Sequence, residues 1–190
     1  MPDLAAMSKE IPDTIIVSPV GEIAPWITRI LAENMKDFFG FNTKVTPLLA
    51  DIAFAYDPDR NQYHSTLILE KLALGCPGDG LKVLGVTKED LFIPILTHVY
   101  GEAQLGGRAC IISISRLITG PDMGGADSGE SRIVKEAIHE LGHCFDLRHC
   151  EDEHCIMHYC RKLADVDKKS TRFCRYCTIF LSDNIKMLGE

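Results

Sequence analysis

The first half of the chain alternates between short apolar runs and amphipathic stretches, and the period of that alternation assigns the elements. "TIIVSPV", from Thr14, is a compact apolar run of the kind a strand buried on both faces presents. The following stretch repeats its apolar residues at Ile23, Ile27, Ile30, Leu31, Met35 and Phe38, the stripe of a helix, and stops at Gly40. "FNTKVTPLL" then predicts a second strand, "DRNQYHSTLILEKLAL" a second helix, "GCPGDG" a turn and "LKVLGVT" a third strand. "FIPILTHVYGEAQLGGRACIISISRL" reads as two strands joined by a glycine-rich loop. Strand, helix, strand, helix, strand is the order of an α/β (α+β) fold: a mainly parallel sheet covered by helices, with the late hairpin adding one antiparallel strand.

A third helix follows. Asp127 with Glu130 three residues on resembles a capping box, which puts the helix start near Ser128. Ile133, Val134, Ala137, Ile138, Leu141 and Phe145 then share one side at about 100° per residue, and that side is the core face. His139 and His143, four apart, share a different side with Lys135 and Glu136, so they are not expected in the core.

The chain's 190 residues suit one compact domain. Hydrophobic residues at 46% and charged residues at 25% exclude a disordered or fibrous chain. A formal net charge of −7, with no run of Lys and Arg, argues against a nucleic-acid or anionic-membrane partner. The start has no basic region followed by a continuous apolar stretch, and no window approaches eighteen apolar residues, so a cytoplasmic protein is expected. In that compartment eight cysteines are poorly explained by disulfides, which turns attention to metal. Cys76, Cys110, Cys144 and Cys160 stand alone and read as small apolar residues, and His64 and His98 read as packing or surface residues.

The rest are concentrated. His139 to Met157, "HELGHCFDLRHCEDEHCIM", holds four of the seven histidines and three of the eight cysteines. One helical turn between His139 and His143 lets two imidazoles grip one Zn²⁺ while Glu140 between them reaches a water on the metal. His149 supplies a third ligand if the helix stops and the chain turns back. Cys150 with Cys155, and Cys174 with Cys177, form two pairs whose thiolates suit a closed tetrahedral zinc site. For the CxxC pair alone a redox role is the alternative.

"HELGHCFDLRHC", then "CIM", then "CRYC", preceded by "YGEAQLGGRACIISISRL", resembles the archaemetzincins, a family of the metzincin clan of zinc metallopeptidases. The family pattern runs HExxHxxGxxHC, CxM and CxxC, and the resemblance spans about residues 98 to 177. It implies two zinc ions: a catalytic one on His139, His143 and His149, and a structural one on Cys150, Cys155, Cys174 and Cys177. It also implies Glu140 as general base, Met157 as the Met-turn methionine and Tyr159 as an oxyanion stabiliser. The implied fold is a twisted five-stranded sheet, four strands parallel and one antiparallel at the cleft edge, packed on helices. Residues 1–145 would form an N-terminal subdomain with the active-site helix, and residues 146–190 a small C-terminal subdomain. A peptide or protein substrate would add to the cleft-edge strand, somewhere in Pro94 to Leu105, and a monomer is expected.

One residue departs from the pattern. Asp146 stands where the family has glycine, at a turn that wants a left-handed backbone; among other residues Asp and Asn tolerate that conformation best. The alternative to a peptidase is a non-catalytic, zinc-stabilised binding or scaffold protein whose geometry has been lost at Asp146. The retained Glu140 argues for the enzyme, because a scaffold has no need of a general base.

Overall fold

Ile15, Ile16, Val17 and Val20 have no solvent exposure, as a strand covered on both faces requires, and they lie in β1 (Thr14–Val20). The computed structural model describes residues 12–118 and 129–188. After β1 comes α1 (Pro25–Phe39), with proline in its first turn and Gly40 in the left-handed region at φ 76°, its N–H donating to the Lys36 carbonyl. The helix buries Ile27, Leu31, Met35 and Phe39. β2 (Asn42–Val45) is shorter than the sequence pattern suggests, and runs parallel to β1.

The second helix also begins later than expected. Asn61 takes φ 51° and closes a small hairpin between β3 (Tyr56–Asp57) and β4 (Gln62–His64), so α2 runs only over Ser65–Leu74. A helical and a strand reading of so short an apolar–polar run are indistinguishable until its partner is known. Here β4 pairs with β6 (Leu91–Phe92), nearly thirty residues away.

β5 (Gly80–Thr87) is the central strand, and β7 (Gly101–Ala103) and β8 (Ala109–Ser113) form the late hairpin. The main sheet runs β2-β1-β5-β8-β7, parallel except for β7 at its edge, as predicted. Most of the segment 93–100, expected to be strand, lies outside the named strands. Alternation sorts the sheet's side chains into two cores. Ile15, Val17, Leu84, Val86, Cys110 and Ile112 face α1 and the third long helix; Ile16, Val83 and Ile111 face α2.

That third helix, α3 (Gly129–Cys144), buries its expected core face. The capping residue Asp127 lies outside the described residues. The other side of α3 corrects the sequence reading: Lys135, Glu136, His139 and Glu140 are only 4–5% exposed. They are enclosed from two sides: Lys135 donates to the carbonyls of Val166 and Asp167 in α4 (Leu163–Lys168), Lys169 after it lies against His139, and β7 packs on Glu140; α5 (Arg175–Met187) ends the described chain. No described helix is long and apolar enough to cross a membrane.

Candidate metal centre

Ending α3 correctly is what assembles the site. Asp146 has φ 63°, the left-handed conformation its position demands. Its N–H donates to the His143 carbonyl and the Leu147 N–H to the Gly142 carbonyl, both at about 3 Å, which is the paired arrangement of a Schellman stop. The remaining terminal carbonyls find partners from distant segments. Gly106 N–H reaches the His143 carbonyl, Lys82 Nζ the Cys144 carbonyl at 2.7 Å, and Asn184 Nδ2 the Phe145 carbonyl at 2.7 Å. Asp146 therefore makes the turn that glycine would make. Its carboxylate is exposed and lies outside the group of side chains that converge as ligands.

The turn brings His149 back to His139 and His143, and one nitrogen of each lies within 4.8 Å of the others. The hydrogen bonds assign the tautomers. A carbonyl only accepts, so His139 Nδ1 donates to Ile156 O at 2.8 Å and His143 Nδ1 to Leu147 O at 2.6 Å. Both Nε2 atoms are then bare acceptors, yet they face one another at 3.1 Å. Two lone pairs at that distance need a cation between them, and tetrahedral ligands on Zn²⁺ at about 2.0–2.1 Å stand roughly 3.3 Å apart. Burial lowers the pKa of His139 well below its ordinary range and that of His143 to about 4, so both are neutral, as ligands must be.

Glu140 sits beside them under β7. A Cβ on Gly101 would come within 2.6 Å of Glu140 Cγ, so only glycine lets the edge strand cover this carboxylate so closely. Burial, and then the neighbouring Glu136, push the Glu140 pKa well up. Met157 lies beneath, fully buried, with its Sδ so near Gly142 that a Cβ there would be 2.5 Å away. Tyr159 is 41% exposed, and its ring stands 5.0 Å from that of His149.

The four cysteines also converge. Cys150, Cys155, Cys174 and Cys177 bring their sulfurs within 4.8 Å of one another, and Cys150 and Cys174 Sγ are 3.7 Å apart. Tetrahedral thiolates at about 2.3 Å from zinc are separated by roughly 3.8 Å. The Cys174 N–H donates to Cys155 Sγ, a backbone contact that favours a thiolate there. All eight cysteines are free thiols.

Besides Lys135, sequence reasoning missed two further buried cations. Lys82, 4% exposed on β5, donates to the carbonyls of Gly107 and Cys144 and lies 5.0 Å above the Phe145 ring, tying the β7–β8 hairpin to the end of α3. Lys169, 2% exposed, puts Nζ 3.4 Å from His139 Nδ1; because that nitrogen's proton already goes to Ile156, this is proximity rather than a bond. Neither has a local signal: Lys82 finds its acceptors 25 and 62 residues away, and Lys169 donates to the His158 carbonyl eleven residues back at 3.4 Å. Of the residues read as bystanders, His98 and Cys160 line the cleft without joining the ligands, whereas His64 packs on Phe92 away from it. The cleft over the three histidines has a volume of about 940 Å³.

The sequence profile of peptidase family M54 matches residues 78–183. An archaemetzincin of Methanopyrus kandleri is 43% identical over 83% of this chain and 87% of its own length. An archaemetzincin of Methanocaldococcus jannaschii is 36% identical over 89% and 93%. The crystal structure of the Methanopyrus kandleri archaemetzincin superposes with a TM-score of 0.80 at 35% identity, covering 96% of this chain and 99% of that one.

Proposed function

The chain belongs to peptidase family M54 and is a zinc metallopeptidase acting on peptides or proteins, and from that premise we propose how its own residues divide the work. His139, His143 and His149 hold the catalytic zinc, and Glu140 is the general base. The observation that carries this reading is the pair of unprotonated Nε2 atoms facing each other at 3.1 Å beside a buried carboxylate. When bound, zinc acidifies a water and polarises the scissile carbonyl.

Glu140 then moves the proton. Buried beside the facing Nε2 atoms, its carboxylate takes a proton from the attacking water and returns it to the leaving amine. The substrate lies extended along β7, whose outer side has no strand partner in the sheet order, so that backbone hydrogen bonds set its register. Tyr159, against His149 and open to the cleft, donates a hydrogen bond from its hydroxyl to the developing oxyanion, and Met157 is the apolar floor under the ligands. A second zinc on Cys150, Cys155, Cys174 and Cys177 is structural, because four thiolates leave no open position. The left-handed turn made by Asp146 supports the catalytic reading over a degenerate scaffold.

Metal analysis of the purified chain and of Glu140→Ala tests the assignment. Both should carry two zinc ions, while the variant loses peptide hydrolysis by roughly 10²–10⁴-fold. Parental cleavage by Glu140→Ala would assign the activity to another group.

A further inference from the structure

Six charged side chains line the cleft, and they differ in what holds them. Glu136, Glu140 and Lys169 are buried beside one another. Glu102 is occupied: its carboxylate accepts from the hydroxyls of Ser65 and Thr66 at 2.5–3.1 Å. That leaves Arg148 and Arg161, both exposed. Arg148 immediately precedes His149, and the Arg161 guanidinium lies 5.9 Å above the ring of Tyr159, itself packed on His149. Neither arginine has an ion pair among the described residues, whereas Arg116 and Arg132 are paired with Asp90 and Asp167 at 2.7 and 2.6 Å.

In a chain of net charge −7, the two solvent-facing charges of the cleft are thus both positive, one next to His149 in the chain and one separated from it by the Tyr159 ring. An extended peptide advances about 3.3 Å per residue. Side chains near the scissile bond therefore pass the arginine that adjoins His149 and the one stacked a ring away. A guanidinium is the donor fork that matches a carboxylate. We propose that the cleft selects peptides with aspartate or glutamate within one or two residues of the scissile bond, with Arg148 and Arg161 as the residues that determine this specificity. The proposal rests on the peptidase reading above and names the substrate class of that site.

The test measures binding separately from catalysis. Labelled hexapeptides identical except for Asp, Asn or Lys flanking the central bond are titrated by fluorescence anisotropy against the zinc-loaded Glu140→Ala chain. The Asp peptide should bind about five- to tenfold more tightly than the Asn peptide, and the Lys peptide more weakly than either. Raising NaCl from about 25 to about 250 mM should shrink the gap, because the pairs are exposed and screened. In the same background Arg148→Glu with Arg161→Glu should invert the order, with zinc content and Tm unchanged. Equal affinities for the three peptides would overturn the proposal. So would an acidic preference that survives the double reversal, since the carboxylate would then be binding the metal. Parental enzyme that cuts none of the peptides would count against the peptidase reading, while the anisotropy order still decides the specificity.

Discussion

Lys82→Met removes a buried ammonium and keeps most of its hydrocarbon stem, so it isolates what the charge does. In the native chain Nζ donates to Cys144 O at 2.7 Å and Gly107 O at 2.8 Å. Hydrogen bonds from a charged donor are each worth about 1.5–3 kcal/mol, and both acceptors are left without this donor when it goes. Against that loss stands the relief of desolvation, the larger influence on Lys82 and the one that lowers its pKa. The bonds prevail, because methionine cannot satisfy either carbonyl, and a net loss of about 2–3 kcal/mol is expected. For a chain of this size that corresponds to a Tm lower by roughly 5–10 °C. The assay is thermal unfolding of the zinc-loaded protein, followed by zinc competition with a chromogenic chelator. Affinity at the three-histidine site should fall as well, because the anchored carbonyl is at the helix end from which the chain turns to His149. A Lys82→Met protein with parental Tm and parental zinc affinity would refute the reasoning.

Other changes test neighbouring steps. Asp146→Gly should relieve up to about 1 kcal/mol of left-handed strain and leave zinc at the three-histidine site up to about fivefold tighter; weaker binding by calorimetry would show that the carboxylate supports the turn instead. Cys174→Ser should lose the second zinc and melt more than about 10 °C lower, a structural site being comparable in free energy to a whole domain's stability; unchanged zinc content and Tm would remove that assignment. The metal-free chain should be acid-sensitive in a defined window. His143 has a folded pKa of about 4 against about 6.5 unfolded, so protons favour the unfolded chain: its stabilising contribution is intact above pH 6.5 and lost as pH falls towards 4. Urea titrations at pH 7 and pH 4.5 should differ by no more than about 3 kcal/mol from this group. No decline in that interval would contradict the shift.

Legibility of the fold followed the range of the interactions. Gly40 and the stripe of α1 are local, and sequence and structure agree there. The approach of His139 to His143 was legible for the same reason, since one helical turn relates them whatever surrounds them. Gln62–His64 was misread because its partner strand lies far along the chain. Glu136 and Lys135 looked solvated because a polar helix face gives no sign that α4 and the following loop will cover it. Lys82 sits in an otherwise apolar strand, "LKVLGVT", where only the two carbonyls brought from elsewhere explain a cation.

His149 and Cys150 are consecutive, and in the two-site reading they serve different ions. This has a consequence for the order of synthesis. A chain emerging from the ribosome presents His139, Glu140 and His143 on a helix well before it presents Cys174 and Cys177, the last ligands to be made. Before those two are made, the Cys150 N–H can already donate to the Met157 carbonyl and the His158 ring to the Cys150 carbonyl, and what Cys174 and Cys177 add beside His149 is closure of the cysteine site. Asn184, whose amide secures the Phe145 carbonyl, comes later still. On the proposed assignment the hydrolytic centre therefore gains its last supports from its C-terminal end, and a nascent chain that lacks them has yet to become an active protease.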